Sequence, residues 1–389
     1  MRQSIFSLIL LGAANVVKCD VYQMLVGNFR KFAIYTLEFD DVALTLKMVG
    51  NHPTPVHDKK TVYGNILDAP NNAFISYDVD NFRRYVIASG DAACNTSSNS
   101  LVAATEPPYA VYGTAFSAAG AQGNDSCGTV MSVDKDGFFT GADQEFGYRP
   151  SSGIHGMALN KNNTFLYSAD DTGNFVWTHS VDPSTGFVTF VDASPAPSNG
   201  SHGSYDTNPR HVTVHPEGKF LYVLFEGSEQ LAQFEIDQAT GIPSFQGVAY
   251  SMVLPGMLTH MGNTDTDASD PSSGRYAAGV KLSSSNKYLW ASFRGRQEDQ
   301  AGSFAAFSLN PDGSIIEQLF LTPTLSSGGL SNIVSPNPIT DKYVAITDES
   351  FGFVDIFALA DDASKASPVA RLSIPDGGCC ADVLWASRK

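Results

Sequence analysis

Apolar and polar positions along the chain alternate in short runs, and the clearest of these is Asn208–Glu226, NPRHVTVHPEGKFLYVLFE. Residues His211 to His215 alternate, which predicts a half-buried strand, whereas Phe220 to Phe225 is continuously apolar, which predicts a strand covered on both faces. Between them, Pro216-Glu217-Gly218-Lys219 places Pro where a turn needs a fixed φ and Gly where it needs a permissive one. Arg210 opens this hairpin and Glu226 closes it. A hairpin brings its open ends together, so the two charges are expected at the same end of the unit.

The unit recurs. Aligned on the tyrosine of FLYV, its counterparts are Val26, Tyr63, Tyr112, Tyr167, Tyr222, Tyr288 and Tyr343, at steps of 37, 49, 55, 55, 66 and 55 residues. Each is followed by a further strand-like run, such as FAIYTLEFD, NFVWTHSVD or AQFEIDQATG, and most then reach an Asp/Gly turn. No 3.6-residue apolar period is sustained anywhere. Seven units of about four short strands each predict an all-β, seven-bladed β-propeller. Cys380-Ala381-Asp382-Val383-Leu384-Trp385 has no unit of its own and is expected to complete the first one, so that N- and C-terminal strands share a blade. Residues 20–389 are accordingly expected to form one domain, because all-β rings commonly exceed the simple length prior.

Composition narrows the partners. A hydrophobic content of 43%, with 34 Gly and 20 Pro, suits many strands and turns and is too apolar for disorder. A net charge of −16 attracts neither nucleic acid nor an anionic membrane surface, so an anionic substrate would have to be held by local arginines. Residues 1–19 carry one Arg, then the apolar run SIFSLILLGAANVV, and read as a secretory signal; no later run approaches the ~20 apolar residues of a membrane span. Sequons at Asn95, Asn124, Asn162 and Asn199 fall in turn-like polar segments, and a secreted, extracellular glycoprotein is expected.

The five cysteines match no zinc or redox spacing and fit an oxidising compartment. Cys94 and Cys127 flank the same insertion-rich blade and are expected to pair. Cys19, if it survives processing, is expected near Cys379 or Cys380 through the shared blade; a link between the two vicinal cysteines is the alternative.

Most standard chemistries are missing. Asp265, Asp267 and Asp270 lack the Gly and Glu that a calcium loop would need at positions 270 and 276, and read as a solvated acidic loop. The histidines show no metal-ligand spacing, and His211 and His215 are assigned to packing and turn hydrogen bonds. There is no GxSxG elbow, phosphate-cradling loop or dinucleotide fingerprint. What remains is His155 in SSGIHGMAL, Arg210, Glu226, and Arg294 in YLWASFRGR, at matching strand ends of three consecutive blades. A propeller points such ends at one face and its central channel. Two convergent arginines against Glu226 alone imply a missing anion, since an unpartnered buried guanidinium costs several kcal/mol. The same residues would also serve as a structural ion pair, a core histidine and a rim arginine, because ion-pair networks imitate sites.

At these residues the chain resembles the fungal 3-carboxy-cis,cis-muconate lactonizing enzymes (carboxy-cis,cis-muconate cyclases), members of the lactonase-type seven-bladed propellers. The resemblance spans PPYAVYG at Pro107, SGIHGMAL at Ser152, the Asn208–Glu226 hairpin, LFLTPT at Leu319, SSGGLSN at Ser326 and AITDE at Ala345. It implies an active-site histidine at His155, carboxylate-binding arginines at Arg210 and Arg294, an acidic residue at Glu226, and no metal or organic cofactor. Where those enzymes resemble Gly-Gly-His-Ser-Asn, this chain has Leu330 in the histidine position. The implied activity is a cycloisomerase interconverting a carboxylated diene and its lactone, with His155 as general acid and Glu226 as its partner; the alternatives are a lactone hydrolase of the gluconolactonase type and a non-catalytic secreted propeller that binds a partner on its ring face. The expected partner of either enzyme is a small anionic carboxylate or lactone.

Overall fold

The computed structural model describes residues 20–28, 34–50, 61–66, 73–78, 84–88, 97–116, 126–197, 207–255, 275–295 and 297–388. All regular structure among them is β-strand, arranged in seven sheets. The third blade runs Ser97–Ala103, Val111–Phe116, Cys127–Val133, Phe139–Gly147; the fourth Ile154–Leu159, Phe165–Asp170, Phe175–Val181, Val188–Pro195. The fifth runs Pro209–Val214, Phe220–Phe225, Gln230–Ile236, Pro243–Ser251; the sixth Arg275–Leu282, Tyr288–Gly295, Ser303–Leu309, Ile315–Pro323. The seventh comprises Val334–Pro336, Tyr343–Asp348, Phe353–Leu359 and Ala366–Ser373. Three strands of the second blade are described, Thr61–Ile66, Ala73–Asp78 and Arg84–Ala88. The first blade is closed as the sequence implies: Cys379–Arg388 pairs antiparallel with Val21–Asn28, which continues to Ile34–Asp40 and Thr45–Gly50.

The continuous apolar run at Phe220–Phe225 is explained by burial on both faces. Leu221, Val223 and Phe225 pack with Tyr167, Ala169 and Val176 of the fourth blade. Tyr222 and Leu224 pack with Ala277, Leu289 and Ala291 of the sixth. A strand with period-two side chains can serve two interfaces only if both sets are apolar.

The periodic tyrosine has a specific task. Its hydroxyl donates to a backbone carbonyl in the next blade's last turn: Tyr63 to Gly137 at 2.7 Å, Tyr112 to Gly186 and Tyr167 to Gly241 at 2.9 Å each, and Tyr222 to Gly313. Tyr343 makes the ring-closing version, to Asp41 of the first blade at 3.4 Å. Burial pushes the phenol of Tyr112 up to about 12 and that of Tyr63 upward as well, so these hydroxyls stay protonated and donate. In the first blade Tyr22 is buried near the start of its strand, edge-on to Tyr343, and packs with Val26 against the seventh blade.

Cys379 and Cys380 are bonded to each other and fully buried, so neither is available to Cys19; the expected staple is replaced by the vicinal link. Cys127 is disulfide-bonded. Cys19 and Cys94 lie outside the described residues, as do Asn95, Asn124, Asn199 and the Asp265–Asp270 loop. Asn162 is exposed in a turn, where an acceptor asparagine would have to be.

Candidate active site

Four consecutive innermost strands share a local irregularity. The pairing of each with its neighbour slips at one residue: Asn99 in the third blade, His155 in the fourth, Arg210 in the fifth and Ala278 in the sixth. A bulge leaves its extra residue out of the ladder and re-aims the side chain, which is how a regular sheet presents a functional group at its end. Here the same bulge carries an amide, an imidazole, a guanidinium and a methyl group in turn. Asn99 Nδ2 donates to the carbonyl of Ile154 at 3.3 Å, tying the third blade to the base of His155.

Close approach of the fourth and fifth blades is permitted by Gly156. A Cβ there would lie 2.7 Å from the Arg210 carbonyl and 3.0 Å from His211 Cα. The consequence is that the His155 and His211 rings meet edge to face, centroids 5.1 Å apart, with Phe116 on another side of His155 at 5.5 Å. His211, assigned from sequence to packing, is therefore part of the cluster; His215 keeps its structural place beside the Gly313 turn and accepts from the Glu217 amide at 3.3 Å.

Arg210 Nη1 pairs with Glu226 Oε2, and the two side chains are only 13% and 9% exposed. The same Glu226 oxygen accepts the Ala277 amide at 3.1 Å, so the carboxylate also anchors the sixth blade. Burial alone would lower the Arg210 guanidinium, but Glu226 and Asp171 together hold it above its ordinary value. Asp171 is thus a second carboxylate near Arg210, at the end of the fourth blade's second strand where the fifth has Glu226. It supplies part of the negative charge that the sequence suggested was missing. Aligning YSADD with YVLFE on their tyrosines would have found it.

Arg294 completes the group from the sixth blade. Its guanidinium lies 4.3 Å from the Tyr276 ring centroid, that of Arg210 lies 5.8 Å from the same ring, and Nη1 donates to the Gly329 carbonyl at 2.7 Å. Tyr276 pairs with Arg294 across the strands, so one aromatic face spaces both cations. The Gly328-Gly329 backbone is left-handed at both residues (φ +88° and +59°), and a Cβ on Gly329 would sit 2.5 Å from Glu349 Oε2. Leu330 is half exposed next to it, its amide donating to that oxygen at 3.3 Å. A cavity of about 360 Å³ opens here, lined by Gly295, Gln297, Glu298, Ser327, Gly329 and Glu349 among others.

The electrostatics follow from the crowding of cations. Burial, then Arg210, then His211 and Arg294 push His155 well below the usual histidine range. Burial together with Arg210, Lys281 and Arg294 brings His211 down to about 3. Both imidazoles are neutral near pH 7. Two buried polar atoms, His155 Nδ1 and Arg210 Nε, have no hydrogen-bond partner among the described residues. His155 and Glu226 are linked through Arg210, not by a hydrogen bond found among the described residues.

A family model described as Lactonase, 7-bladed beta-propeller, matches residues 144–251 and 205–380. The chain belongs to that family. It is 34% identical to the carboxy-cis,cis-muconate cyclase of Neurospora crassa, over 94% of this chain and 99% of that protein. Identity to muconate cycloisomerase 1 of Cutaneotrichosporon cutaneum is 27%, over 88% of this chain and 91% of that protein. Among solved structures, the periplasmic gluconolactonase of Pseudomonas aeruginosa superposes with a TM-score of 0.70 at 14% identity, covering 94% of this chain and 99% of that one. A putative 6-phosphogluconolactonase of Bacteroides uniformis gives 0.66 at 19%, covering 94% and 99%. At such identities these two establish the shared fold.

Proposed function

We propose that the protein is a cofactor-independent cycloisomerase of carboxylated dienes, acting on 3-carboxy-cis,cis-muconate or a close relative. The observation that carries this reading is the convergence of Arg210 and Arg294 on one tyrosine ring, with His155 inside the field of both. A planar guanidinium binds a carboxylate bidentately, and two set apart by an aromatic spacer match a flat polycarboxylate. The 34% identical relative named for this reaction supports the same assignment.

In ring closure, one carboxylate oxygen forms a bond to the far carbon of a conjugated double bond. The π pair moves to the adjacent carbon and its carboxylate, where an arginine stabilises the developing charge, and a proton is then added at that carbon. Apart from that proton, which balances the negative charge lost as the carboxylate becomes an ester, no atom is gained or lost. His155 is the proton carrier, worth ~10² to 10⁴ in rate. It is neutral in the free protein, but two of the causes are the arginines' charges, which substrate carboxylates neutralise. Binding therefore raises the proton affinity of His155, and the imidazolium forms when the diene is in place. In the opposite direction the neutral imidazole already has the form required to remove the proton. Glu226 holds Arg210 in position and keeps it charged. Closure otherwise needs only that the chain be held in a reactive conformer.

One observation favours a second reading, hydrolysis of a lactone. A neutral, half-buried His155 beside two cations is also a general base for water attacking an ester. The reading further includes export, supported by the apolar N-terminal segment, the exposed Asn162 sequon and the disulfide-bonded Cys127, Cys379 and Cys380.

The experiment is ultraviolet turnover of 3-carboxy-cis,cis-muconate beside a panel of aldonolactones, in ¹⁸O-labelled water. Loss of diene absorbance without ¹⁸O in the product is the expected result. Acid release from lactones with ¹⁸O incorporated would replace the cycloisomerase by the hydrolase, and silence on both panels would overturn each.

A further inference from the structure

Most ion pairs among the described residues stay within one blade or turn: Lys47–Glu38, Lys135–Asp136, Arg210–Glu226 and Arg371–Asp355. Lys281–Asp382 does not. Its Nζ reaches both carboxylate oxygens, at 2.9 and 2.7 Å, from the innermost strand of the sixth blade to that of the first. The innermost strand of the seventh blade packs against both and lies between them. A contact that skips a blade can only cross the central channel. Both side chains remain partly open to it, 36% and 51% exposed.

The position is set by the strand register. The bulged residue of the sixth blade is Ala278, so Gly279 corresponds to His211 of the fifth and Lys281 lies two residues further along the same strand. Lys281 is near enough to His211 to depress its proton affinity together with Arg210 and Arg294. The charged and titratable groups facing the histidine pair are thus His155 from the fourth blade, Arg210 and His211 from the fifth, and Lys281 and Arg294 from the sixth. Asp382 arrives from the first blade and meets Lys281, its Oδ1 also accepting the Val383 amide at 2.7 Å.

Resting on the site reading above, we propose that Lys281 is a positioning residue of that site: held across the channel by Asp382, it forms the floor of the anion pocket and sets the positive charge that His211, and through it His155, experiences. Asp382 is its regulator. Pairing offsets part of the Lys281 charge at the histidines, and an unpaired Lys281 would act there in full beside Arg210 and Arg294. Neither residue touches the reacting atoms in this scheme.

The test separates this role from simple stapling and from the identity of the substrate. Imidazole midpoints of His155 and His211 are read by NMR on the unliganded protein. Lys281→Met is expected to raise the His211 midpoint by about half a pH unit or more, as expected on removing a near like charge, with His155 following by less. Lys281→Arg should restore the original value, and Asp382→Asn should move both midpoints the other way. In a parallel arm, calorimetry with propane-1,2,3-tricarboxylate should show binding tightened roughly 3- to 10-fold by Asp382→Asn and weakened similarly by Lys281→Met, as for charges at about this range. Unchanged midpoints with only a fall in thermal stability would overturn the proposal and leave the pair a strut. Moved midpoints with no tricarboxylate binding by the wild-type protein would support the pair's electrostatic role while removing the anion-site reading on which it was built.

Discussion

The two ends of each blade differ in kind. At one end, a tyrosine hydroxyl is passed to the next blade's turn five times over, by Tyr63, Tyr112, Tyr167, Tyr222 and Tyr343, with the same donor and the same backbone acceptor. At the other end nothing repeats: the bulged position of four successive innermost strands carries Asn99, His155, Arg210 and Ala278. Repetition marks the end that closes the ring, and departure from it marks the end where the proposed chemistry lies. A solenoid or ring needs equivalent contacts between neighbours. A substrate has no seven-fold symmetry, so the groups that recognise it must differ from blade to blade.

That contrast can be broken at either end. The largest effect is expected from His155→Gln, which should lower turnover by ~10² to 10⁴ while leaving the thermal midpoint near the wild-type value. Loss of folding with it would make His155 a core histidine. In the wild-type enzyme, ring closure that needs the imidazolium should fall as pH rises through the His155 midpoint of the substrate complex. Rate data collected at saturating substrate across pH 5 to 9 would show that limb, and a rising limb would assign His155 to base chemistry.

Next comes acid stability. His179 is buried among Phe146, Tyr148, Trp177 and Phe190 with both ring nitrogens unpartnered among the described residues, and burial lowers it to about 4. Its folded value lies below its unfolded one, so the unfolded chain binds more protons between them. Stability should therefore decline as pH falls from about 6.5 to 4, by on the order of 3 kcal/mol from this residue, and His155 and His211 act in the same direction. Urea midpoints measured against pH should slope less in His179→Phe. An unchanged slope would place the acid sensitivity elsewhere.

Tyr222→Phe should cost roughly 1 kcal/mol, the net worth of a buried hydrogen bond, with turnover unaltered. A fall in kcat without a fall in stability would show that the clasp end communicates with the site. Smallest is Leu330→His, which places an imidazole beside Gly329 and Arg294. It should improve kcat/KM on the muconate by less than about tenfold, one hydrogen bond's worth. No change, or a loss, would mean that the cavity beside Leu330 is not used by this substrate.

Much of this was legible in the sequence, and the omissions have physical causes. The strands, the seven-fold count and the shared first blade follow from short apolar runs and turn residues, which are local signals. His155, Arg210, Glu226 and Arg294 could be singled out because they break an otherwise repetitive pattern at matching positions. Asn99 and Tyr276 were legible only after alignment at the bulge, which shifts register by one residue without any fixed sequence mark, whereas Asp171 follows from matching the second strands on their tyrosines. His211 looked like an alternating strand residue; its role came from Gly156, whose missing side chain lets two strands approach. The Lys281–Asp382 bridge spans 101 residues and skips a blade, a proximity that only ring closure creates.

The most direct test of the central claim uses the Arg210→Met, Glu226→Met double variant. Replacing both partners of a buried pair by apolar groups is often neutral in stability, whereas removing one is strongly destabilising. Thermal unfolding and diene turnover should be measured on one preparation. The account predicts a folded protein destabilised by roughly 1 to 3 kcal/mol, the cost of the Ala277 amide's lost acceptor, and turnover of 3-carboxy-cis,cis-muconate reduced by about 10² or more, the cost of deleting a transition-state charge. A folded double variant that still closes the ring at the wild-type rate would contradict it.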